Sequence, residues 1–225
     1  MRLLARLMVL AAVALMTAPA FARDDGVGYY GGLRIIGSAA SVDDVSQTGF
    51  AGTLQVRNDS DLAAGAGFIG GYRWNSLPMR TELEIAYRFR FDFDARDQTS
   101  PAVGFENNLA TLSTLFNILF EYRNSSSFTP YGGGSLGWAQ HRSNTDRDVI
   151  VSGGASTELD EETNNFAWGG MAGVTWAFAK SWELDLGYRY ISLGEVSTGA
   201  FATGETIEAD DYTSHDILLG IHYRF

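Results

Sequence analysis

Apolar and polar residues alternate along most of the chain, with the period of two that is typical of β-strands. The alternation is clearest in Glu82–Phe93, where every second residue from Leu83 onward is large and apolar and the residues between are mostly charged. It returns in Trp182–Tyr190 and in Asp216–Phe225. Eight stretches of this kind are present: Val27–Gly37, Leu62–Trp74, Met79–Phe93, Asn108–Arg123, Thr129–Arg142, Asn164–Phe178, Trp182–Gly194 and Tyr212–Phe225.

The segments between these stretches alternate between short and long. The short ones are Asn75–Pro78, Asn124–Phe128 and Ala179–Ser181, and the long, polar ones are Ser38–Asp61, Asp94–Asn107, Ser143–Thr163 and Glu195–Asp211. Outer-membrane barrels have short periplasmic turns and long external loops. Each stretch also has the ~9–11 residues that a tilted membrane strand needs. The sequence therefore predicts an all-β protein, an eight-stranded antiparallel up-and-down transmembrane β-barrel.

The first residues have the features of an export signal. Arg2 and Arg6 form a basic start, Leu7–Met16 is an apolar run, and Ala20-Phe21-Ala22 has the small-residue pattern of a cleavage site. We expect residues 1–22 to be a signal peptide that is cleaved after Ala22. Residues 23–225 would then form the barrel domain, located in the cell outer membrane.

Aromatic residues fall at the ends of the predicted strands. Trp74, Trp176, Phe178 and Trp182 lie beside short turns, whereas Phe166 and Trp168 lie near a long connection. Transmembrane barrels carry an aromatic girdle at each membrane interface. This placement favours a membrane barrel over a soluble sandwich.

Most charged residues of the predicted strands face the barrel interior in this register. They are seven acids, Glu82, Glu84, Asp92, Glu121, Glu183, Asp185 and Asp216, and seven arginines, Arg34, Arg73, Arg88, Arg90, Arg123, Arg189 and Arg224, with His222 in addition. We expect mutually neutralising pairs that fill an interior just wide enough for side chains. Inward glycines such as Gly71, Gly173 and Gly187 leave room for water, so a narrow passive channel is the alternative. The facing of Thr129–Arg142, which contains three consecutive glycines, is left open.

Composition excludes several kinds of site and partner. The net charge is -11, which argues against nucleic acid, and the absence of Cys with only three His argues against a metal site or cofactor. Eighteen of the 27 acidic residues lie in the four long connections. We therefore expect a monomer with acidic external loops. Its expected partners are outer-membrane lipid and lipopolysaccharide, and a host or surface ligand at those loops.

Four stretches carry a resemblance to a known family. They are Phe128–Gly134, Gly170–Val174, Leu186–Tyr190 and the closing Ser214–Phe225. With them in this order, the chain resembles the OmpA-like, porin-like outer-membrane β-barrel proteins of Gram-negative bacteria. The resemblance implies a mainly structural surface protein, with adhesins and weak channels among its relatives and no shared catalytic residues.

The final strand ends on three outward-facing residues, Ile221, Tyr223 and Phe225. An unpaired last strand can add to the sheet of another protein. The resemblance implies that the outer-membrane assembly machinery is that partner. We expect these three residues to form an assembly signal.

A lipid A-modifying esterase is a further alternative, because some eight-stranded barrels are enzymes of this kind. His141 and Ser143 have a suitable base–nucleophile spacing, and Glu158 and Asp160 could orient the imidazole. A two-residue spacing in a polar stretch also arises easily by chance. We therefore expect no enzymatic activity.

Overall fold

A computed structural model describes residues 27–48, 54–56, 60–97, 103–149, 157–197 and 206–225, with side chains for 27–41, 62–89, 109–143, 162–196 and 212–225. The strands are β1 Gly28–Thr48, β2 Leu54–Val56, β3 Ser60–Arg73, β4 Met79–Asp97, β5 Val103–Glu121, β6 Phe128–Val149, β7 Thr157–Ala177, β8 Trp182–Ser197 and β9 Thr206–Arg224. None of these residues belongs to a helix long and apolar enough to cross a bilayer. The predicted signal peptide, residues 1–22, lies outside the described ranges.

The eight long strands form a closed antiparallel barrel, which confirms the predicted fold class. β9 pairs with β1 from Tyr30↔Arg224 to Thr48↔Thr206, and β4 pairs with β5 to complete the ring. We call the end that carries turns 74–78, 122–127 and 178–181 the short-turn end, and the opposite end the long-loop end. The extra strand β2 pairs only with β4, at the long-loop end.

The predicted stretches agree with the long strands at the short-turn end to within two residues. The predicted long connections are wrong in extent, because strands continue deep into them. β1 reaches Thr48, the hairpin of β4 and β5 reaches Asp97 and Val103, and β6 reaches Val149. Backbone pairing needs no apolar face. Polar hairpin arms therefore extend the barrel without the alternation that revealed the other strands.

Side chains alternate between the two surfaces of the wall. On β4, Glu82 and Arg88 are 1% exposed, whereas Leu83 and Ile85 are 51% and 47% exposed. The apolar residues therefore form the outer, lipid-facing surface and the charged ones line the interior. This matches the predicted facing.

The alternation of β4 is interrupted at one point. The pairing of β4 with β5 shifts in register between Arg88 and Phe91. The side chains of Arg90 and Asp92 lie outside the described ranges. Their inward facing therefore stays a prediction.

The facing of β6, which the sequence left open, is resolved by burial. Tyr131 and His141 are 6% and 1% exposed, whereas Leu136 and Trp138 are 54% and 66% exposed. Odd-numbered residues from Tyr131 to Ser143 thus line the interior. Gly132 and Gly134 lie on the lipid-facing side.

Aromatic side chains ring both ends of the apolar surface. Trp182 packs edge-on against Tyr223 with ring centroids 5.0 Å apart at the short-turn end, and Trp176 stacks on Phe128 at 5.9 Å. Trp168, toward the long-loop end, is 52% exposed. The two predicted girdles are therefore present on the outer surface.

Candidate functional site

The barrel interior between the two girdles is filled by charged side chains. Alternate residues of β4 and β8 supply much of this charge, because period-two strands turn every second side chain inward. Eleven charged residues of the described interior are at most 4% exposed: Glu82, Glu84, Glu121, Glu183, Asp185, Asp216, Arg34, Arg73, Arg80, Arg88 and Arg189. Arg123 and Arg224 are partly buried at the short-turn end.

The carboxylate of Asp216 on β9 contacts four side chains. Arg88 approaches one carboxylate oxygen at 2.7 Å and Arg189 approaches it at 2.9 Å. The hydroxyls of Ser38 and Ser214 donate to the other oxygen at 2.7 and 2.6 Å. Its charge and both oxygens are therefore satisfied, as a buried carboxylate requires.

Arg189 and Arg34 extend this cluster across the barrel. Arg189 contacts Glu84 at 2.9 Å, and Glu84 also forms a short ion pair with Arg34. Arg34 lies 3.4 Å from Glu82 and 3.6 Å from Asp185. The chain of alternating charges thus joins four strands, β1, β4, β8 and β9.

Arg80 is fully buried at the centre of the interior, 0% exposed. It contacts Glu82 at 3.0 Å, Asp185 at 3.1 Å, Glu121 at 3.5 Å and the Thr175 hydroxyl at 2.8 Å. Its guanidinium lies over the Tyr131 ring, 4.3 Å from the centroid. Arg80 is absent from the predicted set of interior residues, although the alternation of β4 extended back two residues from Glu82 indicates its facing.

The network ends at the short-turn end in shared pairs. Arg73 contacts Glu121 at 2.9 Å and Glu183 at 3.0 Å. Arg123 contacts Glu121 at 3.3 Å, and Arg224 contacts Glu183 at 3.5 Å. The predicted inward positions of Arg123 and Arg224 are therefore at the mouth of the interior, not within it.

Every one of the six described interior carboxylates contacts at least two arginines, and all thirteen charged groups belong to one connected network. A buried charge that loses its only partner is strongly destabilising. Shared partners mean that each carboxylate keeps an ion pair if one arginine moves.

Two tyrosines occupy the space beside the inward glycines. A Cβ atom added to Gly71 would lie 2.5 Å from the Tyr30 ring, and one added to Gly173 would lie 2.5 Å from the Tyr131 hydroxyl. These hydroxyls donate to Glu82 at 2.8 Å and to Asp185 at 2.9 Å. The glycines therefore make room for tyrosine rings, where the sequence analysis expected room for water.

An apolar layer borders the charged network on its long-loop side, and Leu115, the strand partner of Glu84, lies where the two meet. Its buried residues are Ala40, Ala63, Leu109, Leu115, Ala139, Ala167, Ile191, Leu193, Val196 and Tyr212. They come from seven of the strands and point inward. The interior thus has a charged layer near the short turns and an apolar layer above it.

His141 lies in this upper region with both ring nitrogens engaged. Nε2 is 2.9 Å from the Leu193 carbonyl oxygen, and Nδ1 is 2.9 Å from the Thr111 hydroxyl. Because a carbonyl only accepts, Nε2 donates, and in the neutral imidazole Nδ1 then accepts from the Thr111 hydroxyl. Ser143 is 2% exposed inside the barrel. The side chains of Glu158 and Asp160 lie outside the described ranges.

The predicted assembly residues lie on the outer surface. Ile221, Tyr223 and Phe225 are 37%, 39% and 85% exposed. The Phe225 amide donates to the Tyr29 carbonyl at 3.1 Å, so the last residue is held to β1 by its backbone. Its ring packs edge-on against Tyr223 at 5.4 Å.

We expect Arg80→Met to lower the free energy of unfolding by ~3–5 kcal/mol, because it removes a fully buried cation together with its three ion pairs. Arg142→Met is the matched control. Arg142 forms a short ion pair with Glu162 on the outer surface, where its side chain is 69% exposed, so the loss should be below ~1 kcal/mol. Urea unfolding of barrels refolded in lipid vesicles measures both. Equal effects of the two substitutions would contradict the buried network.

Comparison with known proteins agrees with this geometry. The family described as outer membrane protein beta-barrel domain matches residues 8–225. Outer membrane protein PagN of Salmonella typhimurium is 30% identical over 159 residues, which cover 66% of this chain and 66% of PagN. An uncharacterized Brucella abortus protein is 24% identical over 204 residues, 75% of this chain and 71% of that protein.

Among solved structures, Neisserial surface protein A has the same fold, with a TM-score of 0.51 and 19% identity over 88% of this chain and 97% of that one. The family match covers the whole described barrel, and it agrees with the resemblance that the sequence motifs indicated. The chain therefore belongs to the outer membrane protein beta-barrel domain family, and the protein lies in the outer membrane.

Proposed function

We propose that the protein is a closed barrel with a mainly structural role, whose long-loop end is its interaction surface. The observation that carries this proposal is the sharing of every described interior carboxylate between at least two arginines. A side-chain network of this density favours a packed interior over a water-filled one. The apolar layer of buried residues above it supports the same conclusion.

The alternative of a narrow passive channel requires a hydrated path past both layers. Arg80 and Tyr131 stack at the centre of the charged layer, 4.3 Å apart. A path for ions would have to separate them or pass Leu115 and Ile191, which are 0% exposed in the apolar layer. These contacts favour the closed barrel.

The esterase alternative finds no support in the geometry of His141. Both ring nitrogens have partners other than Ser143, and a serine nucleophile needs an imidazole within hydrogen-bond reach. Both side chains also point into the barrel, away from the lipid that would be the substrate. We therefore propose that the protein is not an enzyme.

We propose that the short-turn end faces the periplasm and that the long-loop end faces outward. The long-loop end carries most of the acidic residues of the sequence. Such a surface suits divalent cations shared with lipopolysaccharide, or a cationic host or surface ligand. We further propose a monomer that is exported by a signal peptide cleaved after Ala22.

Planar-bilayer recordings of the refolded mature protein test the closed interior. We expect no current steps above the lipid baseline. The double variant Arg80→Gly with Tyr131→Gly is the control for detection, because it removes two stacked side chains from the centre and should allow steps. Large, ion-selective steps from the unmodified protein would contradict the proposal and favour the channel.

Deletion of Phe225 tests the proposed assembly signal. We expect the deletion variant to accumulate in the periplasm and be degraded in cells, while it still refolds in detergent. Phe178→Ala is the matched control, because Phe178 is also an exposed girdle aromatic at the short-turn end, 43% exposed. Its surface level should stay normal. Normal surface levels of the Phe225 deletion would show that Phe225 is only a girdle residue.

A further inference from the structure

Pairing between neighbouring strands does not extend equally far toward the long-loop end all around the barrel. β7 pairs with β6 along its length, from Phe128↔Trp176 to Arg147↔Thr157. It pairs with β8 only from Ala177↔Glu183 to Trp168↔Ser192. Within the described strands, the β8-facing edge of Thr157–Ala167 therefore has no strand partner.

The point where β7 and β8 separate is defined by specific contacts. β8 has Gly194 at φ 84°, and its pairing with β9 shifts in register on both sides of this residue. The carbonyls of Leu193 and Glu195 accept hydrogen bonds from the side chains of His141 and Asn165. Side chains thus replace the strand ladder here, and β8 turns away from β7.

A second separation lies across the barrel, between β3 and β4, and the chain places a short strand of its own beside β4 there. β3 and β4 pair only as far as Gly65↔Arg88. Beyond that point β2 pairs with β4, from Val56↔Ala95 to Leu54↔Asp97. The same wall therefore accepts an added strand at one separation. At the other, no described segment takes this place.

We propose that the edge of β7 over Thr157–Asn164, which pairs with no described strand on its β8 side, binds an extended, basic polypeptide segment as an added β-strand. The segment reads Thr-Glu-Leu-Asp-Glu-Glu-Thr-Asn, with four acids and no base. One of the four, Glu162, is paired with Arg142 on β6. The remaining negative charge selects a partner with lysine or arginine side chains.

The chemistry of this edge assigns separate roles to backbone and side chains. An unpaired strand edge presents a row of N–H and C=O groups to any extended chain. Those backbone groups give affinity in strand addition, and charge complementarity gives selectivity and faster association. The Asn165 side chain donates to the Glu195 carbonyl and so joins β7 to β8 just below this edge. The bound strand would span up to eight residues of β7.

This inference rests on the proposed role of the long-loop end as an interaction surface, and it names the class of partner. It is tested on the purified barrel in lipid nanodiscs. The probe is a fluorescent octapeptide of alternating threonine and lysine. Its control is the same peptide with alternate backbone nitrogens methylated, which keeps the charge and removes the donors for strand pairing.

We expect the probe to bind and to slow hydrogen exchange of those amides of residues 157–164 that point away from β6, whereas the methylated peptide does neither. Glu158→Gln with Asp160→Asn and Glu161→Gln should weaken binding roughly tenfold. Asp94→Asn with Asp97→Asn and Glu106→Gln removes the same charge near the other separation and should leave binding unchanged.

Three results would overturn the inference. They are equal binding of the methylated peptide, protection without probe of the amides of residues 157–164 that point away from β6, and equal weakening by both triple variants. None of these results would bear on bilayer conductance, so failure here is distinguishable from failure of the closed-barrel proposal.

Discussion

A carboxylate inside an eight-stranded barrel has no room for a water shell, so the structure depends on giving each one a cation. Here each described interior carboxylate has two or more, as Asp216 with Arg88 and Arg189 shows. Sharing in this way makes the charged residues of opposite walls a single unit. It also fixes the distance between those walls, because a guanidinium and a carboxylate pair only within a narrow range of distances and orientations. The shape of the barrel and the closure of its interior follow from the same contacts.

The lipid around the barrel restricts the positions that these charged residues can occupy. Each strand must turn apolar residues such as Leu83 outward, so its alternate residues are available only to the interior. The interior then accepts charge where partners exist, as for Arg80, and an aromatic ring where glycines leave space, as for Tyr131 beside Gly173. Above the charged network the apolar layer fills the interior. Beyond that layer, backbone pairing between strands alone holds the barrel wall together.

Sequence alternation predicted the side on which most residues lie, but it could not predict their partners. Period two is a local property, and Glu82 and Glu84 are buried on the face that it indicates. The contact of Arg189 with Glu84 joins residues 105 apart in sequence and depends on how strands stagger around the ring. The polar extension of β1 to Thr48 was missed because it carries no apolar stripe. The tyrosine-filled space beside the glycines depends on strand stagger in the same way.

The central claim is that the interior ion pairs act as one coupled unit, and a double-mutant cycle on Arg189 and Asp216 measures this most directly. Arg189→Met, Asp216→Asn and the double variant are compared by urea unfolding in lipid vesicles, with Arg142 and Glu162 on the outer surface as the reference pair. The account predicts a coupling free energy well above ~1 kcal/mol for the interior pair and below it for the surface pair. Additive losses at Arg189 and Asp216 would contradict it.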